Sequence, residues 1–206
     1  MADDRHWDGT DGFVVAVDER TESCLRALQA SAVENVLTQT VAVLDRDSLY
    51  RSSGLIVQCG QSAYSIGADS LVSEQLDELF FVCASVHVQW PHARPAPAPI
   101  GPQADRLSLK GIIGTAPQIS IVRWAATVAT ADGAELRGDA DAGLLLTGLN
   151  GAQLLIDCRC NPFDDLRPPV MPLDLVLTTD AQAILELLDQ ATVRPVGGSG
   201  AVNQID

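Results

Sequence analysis

Five prolines fall within residues 91–105, PHARPAPAPIGPQAD, and four more within residues 161–172, NPFDDLRPPVMP. Proline carries no backbone N–H and holds φ fixed, so neither segment can run inside a regular ladder or helix. The two segments divide the 206-residue chain into stretches that must form their elements separately. The expected organisation is an acidic tail over 1–11, a β-rich half over 12–90, a proline-rich linker or surface loop over 91–105, a second β-rich half with a C-terminal helix over 106–192, and a glycine-rich tail over 193–206.

Hydrophobic periodicity then assigns the elements. FVVAVDE (13–19) reads as a strand, and TESCLRALQASAVENVL places Leu25, Leu28 and Ala32 at helical spacing. Ser31 and Glu34 stand at capping-box distance, which predicts a second short helical turn there. TVAVLDRDSLY (40–50) and GLIVQC (54–59) are strand candidates. SVHVQW (85–90) alternates, with Val86, Val88 and Trp90 on one face. Ala131–Ala134 reads as a hairpin turn. Asn150-Gly151 suits the positive φ angles of a type I′ turn, which would pair Leu149 with Ala152, Thr147 with Leu154 and Leu145 with Ile156. LDLVLTT is a further strand, and Thr179 with Gln182 predicts a capped helix whose Ile184, Leu187, Leu188 and Ala191 share a face. Eight or nine strands with two or three helices, and no βαβ alternation, give a mostly β fold with minor helix, built as one or two small barrels.

Charge narrows the function classes. The formal net charge is −14 and Lys110 is the only lysine, so a phosphate backbone would be repelled; the arginines are scattered rather than patched, and no nucleic-acid partner is expected. No apolar run approaches the roughly 20 residues of a spanning helix, so no membrane insertion is expected. The opening MADDRHWDGTDG is acidic where a secretory signal is basic and then apolar, which points to a cytoplasmic protein. Cys24, Cys59, Cys83, Cys158 and Cys160 are odd in number and lie mostly in apolar segments, as buried reduced thiols do.

Candidate chemistry centres on GQSAY, residues 60–64. A nucleophile elbow would place Ser62 on a strand-to-helix turn, but Tyr64 occupies the position of its closing glycine, and Asp69, Asp77, His87 and His92 follow too soon to complete a triad. As architecture, Gly60 turns two strands, Tyr64 and Ile66 alternate on the returning strand, and Asp69 marks a corner where a carboxylate accepts backbone N–H bonds. Asp139, Asp141 and Gly143 open like a calcium loop, but the fifth position lacks an oxygen and Asn150 stands where a bidentate carboxylate is required. Cys158 and Cys160 put two thiols on one strand face without a second pair, and Asp164-Asp165 are adjacent loop carboxylates. No catalytic, metal or cofactor site is expected. Trp7 and Trp90 are candidate interface anchors, and Trp124 is expected to close a barrel core.

The segments V41-A-V-L-D-R-D-S-L49 and L55-I-V-Q-C-G-Q-S-A-Y-S-I-G-A-D-S-L71 resemble the middle of CheW-type chemotaxis coupling domains. Gly60, Tyr64, Ser65, Ile66, Asp69 and Leu71 occupy the matching positions. FVVAV with Ala27-Leu28 and Val33–Val36 looks like the opening strand of that domain, and LKGIIGTAPQISIV (109–122) like its closing strand pair. The resemblance covers about half the chain. It implies two small five-stranded barrels, with Asp45 and Asp69 at barrel corners, and a non-catalytic adaptor joining a receptor to a histidine kinase through β-surface contacts. The expected function is therefore a protein-binding adaptor or scaffold using exposed strand edges. The alternatives are a structural homo-oligomer, such as a phage or secretion component, and a hydrolase using Ser62.

Overall fold

The computed structural model describes residues 12–38, 41–44, 48–73, 76–87, 98–99, 107–129, 135–159 and 173–197. The expectations for Trp7, Asp45, Trp90, His92, Cys160, Asp164, Asp165 and the Ala131–Ala134 turn lie outside those residues. The described chain is mostly β with two α-helices.

Strands β1 (Gly12–Val15), β3 (Val41–Val43), β4 (Tyr50–Ser52), β9 (Gln118–Ala129), β10 (Glu135–Thr147), β11 (Gln153–Asp157), β12 (Leu175–Thr178) and β13 (Ala191–Pro195) form an eight-stranded sheet in the order β13-β9-β10-β11-β12-β4-β3. β1 adds to β10 in parallel, Val14 opposite Asp139. Strands β2 (Asn35–Thr38), β5 (Leu55–Cys59), β6 (Ser62–Ser73), β7 (Leu76–His87) and β8 (Ala98–Pro99) form an antiparallel five-stranded sheet in the order β7-β6-β5-β2-β8. Among the described residues neither sheet closes into a barrel. The first half of the sequence contributes β1, β3 and β4 to the larger sheet, with β4 paired to β12.

The sheets face each other across one core. Val57, Tyr64, Ile66, Val82 and Ala84 of the smaller sheet meet Ile119, Ile121, Leu144, Leu146, Leu154, Ile156, Leu175 and Leu177 of the larger. Helix α1 (Glu19–Gln29) joins the same core with Cys24, Leu25 and Leu28. The outer face of the larger sheet is covered too, because helix α2 (Ala181–Leu187) lays Ala183, Ile184 and Leu187 over Trp124, Leu145, Leu155 and Val176. Burial on both faces explains why LVLT and GLLL are continuous apolar runs rather than alternating ones.

Several sequence expectations require correction. α1 ends at Ala30, Ala32 is exposed, and Asn35–Thr38 is a strand instead of a continuing helix, since Val33 and Val36 are drawn into the core between the sheets. TVAVLDRDSLY is not one strand: β3 and β4 pair antiparallel, Ala42 opposite Arg51. Asp180, not Thr179, caps α2, accepting the Ala183 N–H at 2.9 Å. Ala191 does not share the face of α2 but starts β13, an edge strand paired to β9 that runs on into the stretch expected as a glycine-rich tail. Val86 shares the inner face of β7 with Val82 and Ala84, opposite Tyr64, but is half exposed one residue from the end of the strand. Val88 and Trp90 are not described.

The β10–β11 register also departs from expectation. Thr147 pairs with Gln153, Leu146 with Leu154 and Leu144 with Ile156, one residue away from the type I′ register. The connection is wider than two residues: Leu149–Gly151 forms one 3-10 turn, with Asn150 at φ 57° and Gly151 at φ 74°, closed by a Gly148 N–H bond to the Ala152 carbonyl. A one-residue slip exchanges sheet faces, so this turn decides which leucines enter which core.

Candidate interaction site

Three loops meet at one end of the sandwich, and backbone chemistry locks them together. In LKGIIGTAP, Gly111 (φ 90°) and Gly114 (φ 85°) supply left-handed turns that side-chain-bearing residues seldom adopt. Between them Ile112 is fully buried and anchors the loop to the core. The Gly111 carbonyl accepts the Leu149 N–H at 2.8 Å and the Thr115 hydroxyl at 3.2 Å. Gly114 donates to the Val33 carbonyl at 2.7 Å, and Val33 donates to the Thr115 carbonyl at 2.8 Å. The 109–115 loop is thus bonded on one flank to the β10–β11 turn and on the other to the chain entering β2.

This well-bonded tip exposes apolar side chains. Leu149 is 63% exposed and Ile113 41% exposed, while Lys110 and Glu34 are also exposed. A turn between Gly148 and Gly151 ordinarily carries polar residues, so the leucine there is unusual in chemistry as well as exposure. In the sequence, Asn150-Gly151 read as turn formers, Leu149 as a ladder residue opposite Ala152 and Lys110 as part of the charge balance, and none of Leu149, Ile113 and Lys110 stands out as an interaction residue. The available signal was a large apolar residue inside a Gly-Leu-Asn-Gly turn.

Two charged clusters stiffen the body behind the tip. A bulge between Asp141 and Gly143 shifts the alternation of β10, turning Asp141 inward. Its carboxylate is fully buried and accepts from Arg123 at 2.6 Å, from Arg194 at 3.0 Å and from the Val17 N–H at 3.1 Å. The hydrogen bond to Asp141 holds the Arg123 guanidinium above its ordinary pKa. On the opposite face, fully buried Asp157 takes Arg159 in a forked pair, Nη2 at 2.8 Å, and the guanidinium stacks 3.8 Å from the Trp124 ring centre. Burial pushes the Asp157 carboxyl above its usual range, against the pull of Arg159. Trp124 donates its indole N–H to the Leu187 carbonyl at 2.8 Å, pinning the end of α2. The ring lies on Gly143, where a Cβ would sit 2.7 Å from it. These residues bind one another and serve the fold.

The sequence-selected positions are dispersed. Gly60, at φ 58°, is the first of two turn residues joining β5 to β6, the place type II′ hairpins give to glycine. Tyr64 is buried in the inter-sheet core. Asp69 is not at a corner: β6 continues through Ser73, and Asp69 sits mid-strand opposite Phe81, exposed, accepting the Ser70 N–H. Ser62 pairs with Cys59 at the head of an antiparallel hairpin, so the strand-to-helix elbow is not built there. Asp139 and Asp141 lie within β10 rather than in a calcium loop, and among the described residues no group of three or more His, Cys, Asp or Glu side chains gathers as a metal site. Trp124 closes no barrel end; it lies under α2.

The outer face of the smaller sheet carries a trough of about 360 Å³, lined by Thr38, Ile56, Ser65, Gly67, Cys83 and Ser85 among others. Cys83 donates its thiol to the Gly67 carbonyl, and burial raises its pKa. No described helix is long and apolar enough to cross a membrane. Comparison with protein-family models, curated proteins and solved structures finds no match to this chain.

Proposed function

We propose that this protein is a non-catalytic protein-binding adaptor that engages its partner through the tip carrying Leu149, Ile113 and Lys110. The observation that supports the reading is Leu149, the most exposed of the exposed large hydrophobics among the described residues, held on a turn whose backbone is bonded to the 109–115 loop, which is itself bonded to the chain entering β2. A backbone already held in place leaves less loop ordering to be done on contact, which lowers the cost of binding through the side chain it carries.

Strand-edge addition, the mode expected from sequence, is less well supported. β7 has its Ala84 N–H turned to the Thr21 hydroxyl of α1. On β13, Val196 bonds to Ile119, so alternation points the amides of Ala191, Val193 and Pro195 outward; Ala191 is already bonded to the Leu188 carbonyl, and Pro195 has none. Short, proline-bearing or covered edges discourage added strands.

The test is affinity capture from native lysate, comparing the wild type with Leu149→Asp, Ile113→Asp and, as an exposed control on α2, Leu185→Asp. A stoichiometric partner lost with the first two and kept with the third supports the reading, and an unchanged partner set overturns it. Recovery of a receptor or histidine kinase would support the coupling role that the CheW-type resemblance suggests.

A further inference from the structure

Strands β7 and β8 are the two edges of the smaller sheet, whose order is β7-β6-β5-β2-β8. Every step of that order is antiparallel, so β7 and β8 run parallel to each other. β7 leaves the sheet at His87, which is level with Ala63, Gln58 and Asn35. β8 enters at Ala98, opposite Thr38, three residues back along the sheet. The connection 88–97 must therefore return along the strands as well as cross them, which makes it a crossover over one face.

Length and handedness say how it runs. Four strand spacings of about 4.8 Å and three residues of rise put the two ends about 22 Å apart on the diagonal. The chain from His87 to Ala98 would cover only about 17 Å as a helix but about 34 Å as polyproline backbone. Pro91, Pro95 and Pro97 exclude the first and favour the second. Ile66 turns its side chain into the core between the sheets and its carbonyl towards β5, 3.6 Å from the place of a Cβ on Gly54. For an L-residue this sets β5, β2 and β8 to the right of β7 when the sheet is seen from outside with β7 pointing up. A connection over the outer face is then right-handed, as about 98% of such crossovers are. One over the inner face would be left-handed and would have to pass through the packed core.

Burial on the outer face follows the same diagonal. Alternation puts Asn35, Gln58 and Ala63 on that face, and two residues further on Leu37, Ile56, Ser65 and Ser85. Of these only Ala63 on β6, Ile56 on β5 and Leu37 on β2 are buried, and they step from the His87 end towards the Ala98 end. They form a cluster of their own that no described residue of a helix or of the larger sheet joins. Away from the diagonal, Asn35 is exposed and Gln58, Ser65 and Ser85 are partly so. We infer that the outer face of the smaller sheet is a docking site for residues 88–97 of the same chain, laid across Ala63, Ile56 and Leu37 in extended form. The proline-rich stretch then belongs to the body instead of linking two domains, and it closes that face to other proteins. The inference is independent of the reading of the tip.

Thiol labelling of the full chain tests this. Ala63→Cys and Ile56→Cys place a thiol on the diagonal, and Gln58→Cys places one beside it on the same face. Each is treated with iodoacetamide at pH 8 and followed at its own residue by fragmentation mass spectrometry. The first two should react more than about tenfold more slowly than the third. Replacing 88–97 with ten glycine and serine residues should bring both to the rate of Gln58→Cys, with far-ultraviolet circular dichroism unchanged. If that replacement does not fold, the triple variant Pro91→Gly/Pro95→Gly/Pro97→Gly takes its place and should speed both at least about threefold, because a looser segment costs more to order. Equal labelling of all three positions in the natural chain, or slow labelling of Ala63→Cys and Ile56→Cys that the altered segment leaves unchanged, overturns the docking.

Discussion

The Leu149 amide donates to the Gly111 carbonyl across 2.8 Å, and this bond joins two loops 38 residues apart at the exposed end of the sandwich. It is possible only because Gly148 and Gly111 lack side chains. A Cβ at Gly148 would collide with the Gly111 carbonyl itself, and a Cβ at Gly111 would meet that of Ala152 at 2.8 Å. The apolar tip and its rigidity therefore have one origin.

Gly148→Ala is accordingly expected to cost more than a conformational penalty. The collision is with backbone, which cannot rotate aside, so the loops must separate, at about 1–3 kcal/mol or more. Gly114→Ala provides the contrast. Gly114 has φ 85° but nothing near its missing Cβ, leaving only left-handed strain of about 1–2 kcal/mol. Urea unfolding of both variants checks the order, and equal losses would show that the close approach is not what holds the loops.

Much of the fold could be read from residue pattern. The paired strands around Gly60 and the apolar stripes of α1 and α2 follow from periodicity and from residues with special φ. What escaped was non-local. Whether Asn35–Thr38 continues a helix or starts a strand depends on β5, which offers Val57 opposite Val36. The β10–β11 register goes with a wider turn whose Leu149 amide is bonded to Gly111, a partner 38 residues away that the local preference of Asn150-Gly151 does not reveal. The tip itself was invisible because exposure of Leu149 is a property of three loops together, and the roles of Asp141 and Asp157 depend on arginines and a bulge that periodicity does not reveal.

Asp141→Ala should be among the most damaging single changes. It strips Arg123 and Arg194 of their shared carboxylate and the Val17 N–H of its acceptor. Breaking a buried pair by removing one partner costs about 3–5 kcal/mol. Chemical denaturation should show that loss, with Arg123→Ala costing less, since the Arg123 side chain is partly solvated and Arg194 would still face Asp141.

Arg159→Leu should give a pH-dependent defect. Burial already raises the Asp157 carboxyl, and Arg159 is the group that opposes the rise. Without Arg159 the pKa climbs further, so the folded variant takes up a proton at a pH where the unfolded chain does not. A raised folded pKa contributes stability that is complete below the ordinary carboxyl value, about 4, and is lost as pH rises through the folded value. The variant should therefore be more destabilised at pH 7 than at pH 5 relative to wild type. Tryptophan fluorescence should also change, because the guanidinium leaves the Trp124 ring. A defect of the same size at both pH values would show that Asp157 is not the titrating group.

Cys59 should be an unreactive thiol in the folded chain. Burial, assisted by the charge of Glu34, pushes its pKa to about 11. Only the thiolate is nucleophilic, so iodoacetamide at pH 8 should modify Cys59 far more slowly in the folded protein than in urea. The linkage has one sign: between the ordinary thiol value, about 9, and 11 the unfolded chain loses a proton that the folded chain keeps, so stability falls as pH rises across that window. Peptide mapping after timed labelling isolates Cys59 from the other cysteines, and rapid native labelling at pH 8 would contradict its placement in the core.

Pro195→Val tests whether β13 is blunted by proline or by its neighbours. Proline at an outward-facing edge position removes one donor that an incoming strand would need, and Ala191 is already satisfied by the Leu188 carbonyl. Valine restores the amide beside the outward Val193, giving two donors at the spacing of a strand ladder. The substituted edge should recruit strands from other copies, seen as light scattering that grows with concentration and is insensitive to Leu149→Asp. If scattering stays at the wild-type level, proline is not the guard, and the packing of β13 beside α1, where Glu22 accepts the Gly197 N–H at 3.4 Å, keeps the edge closed on its own.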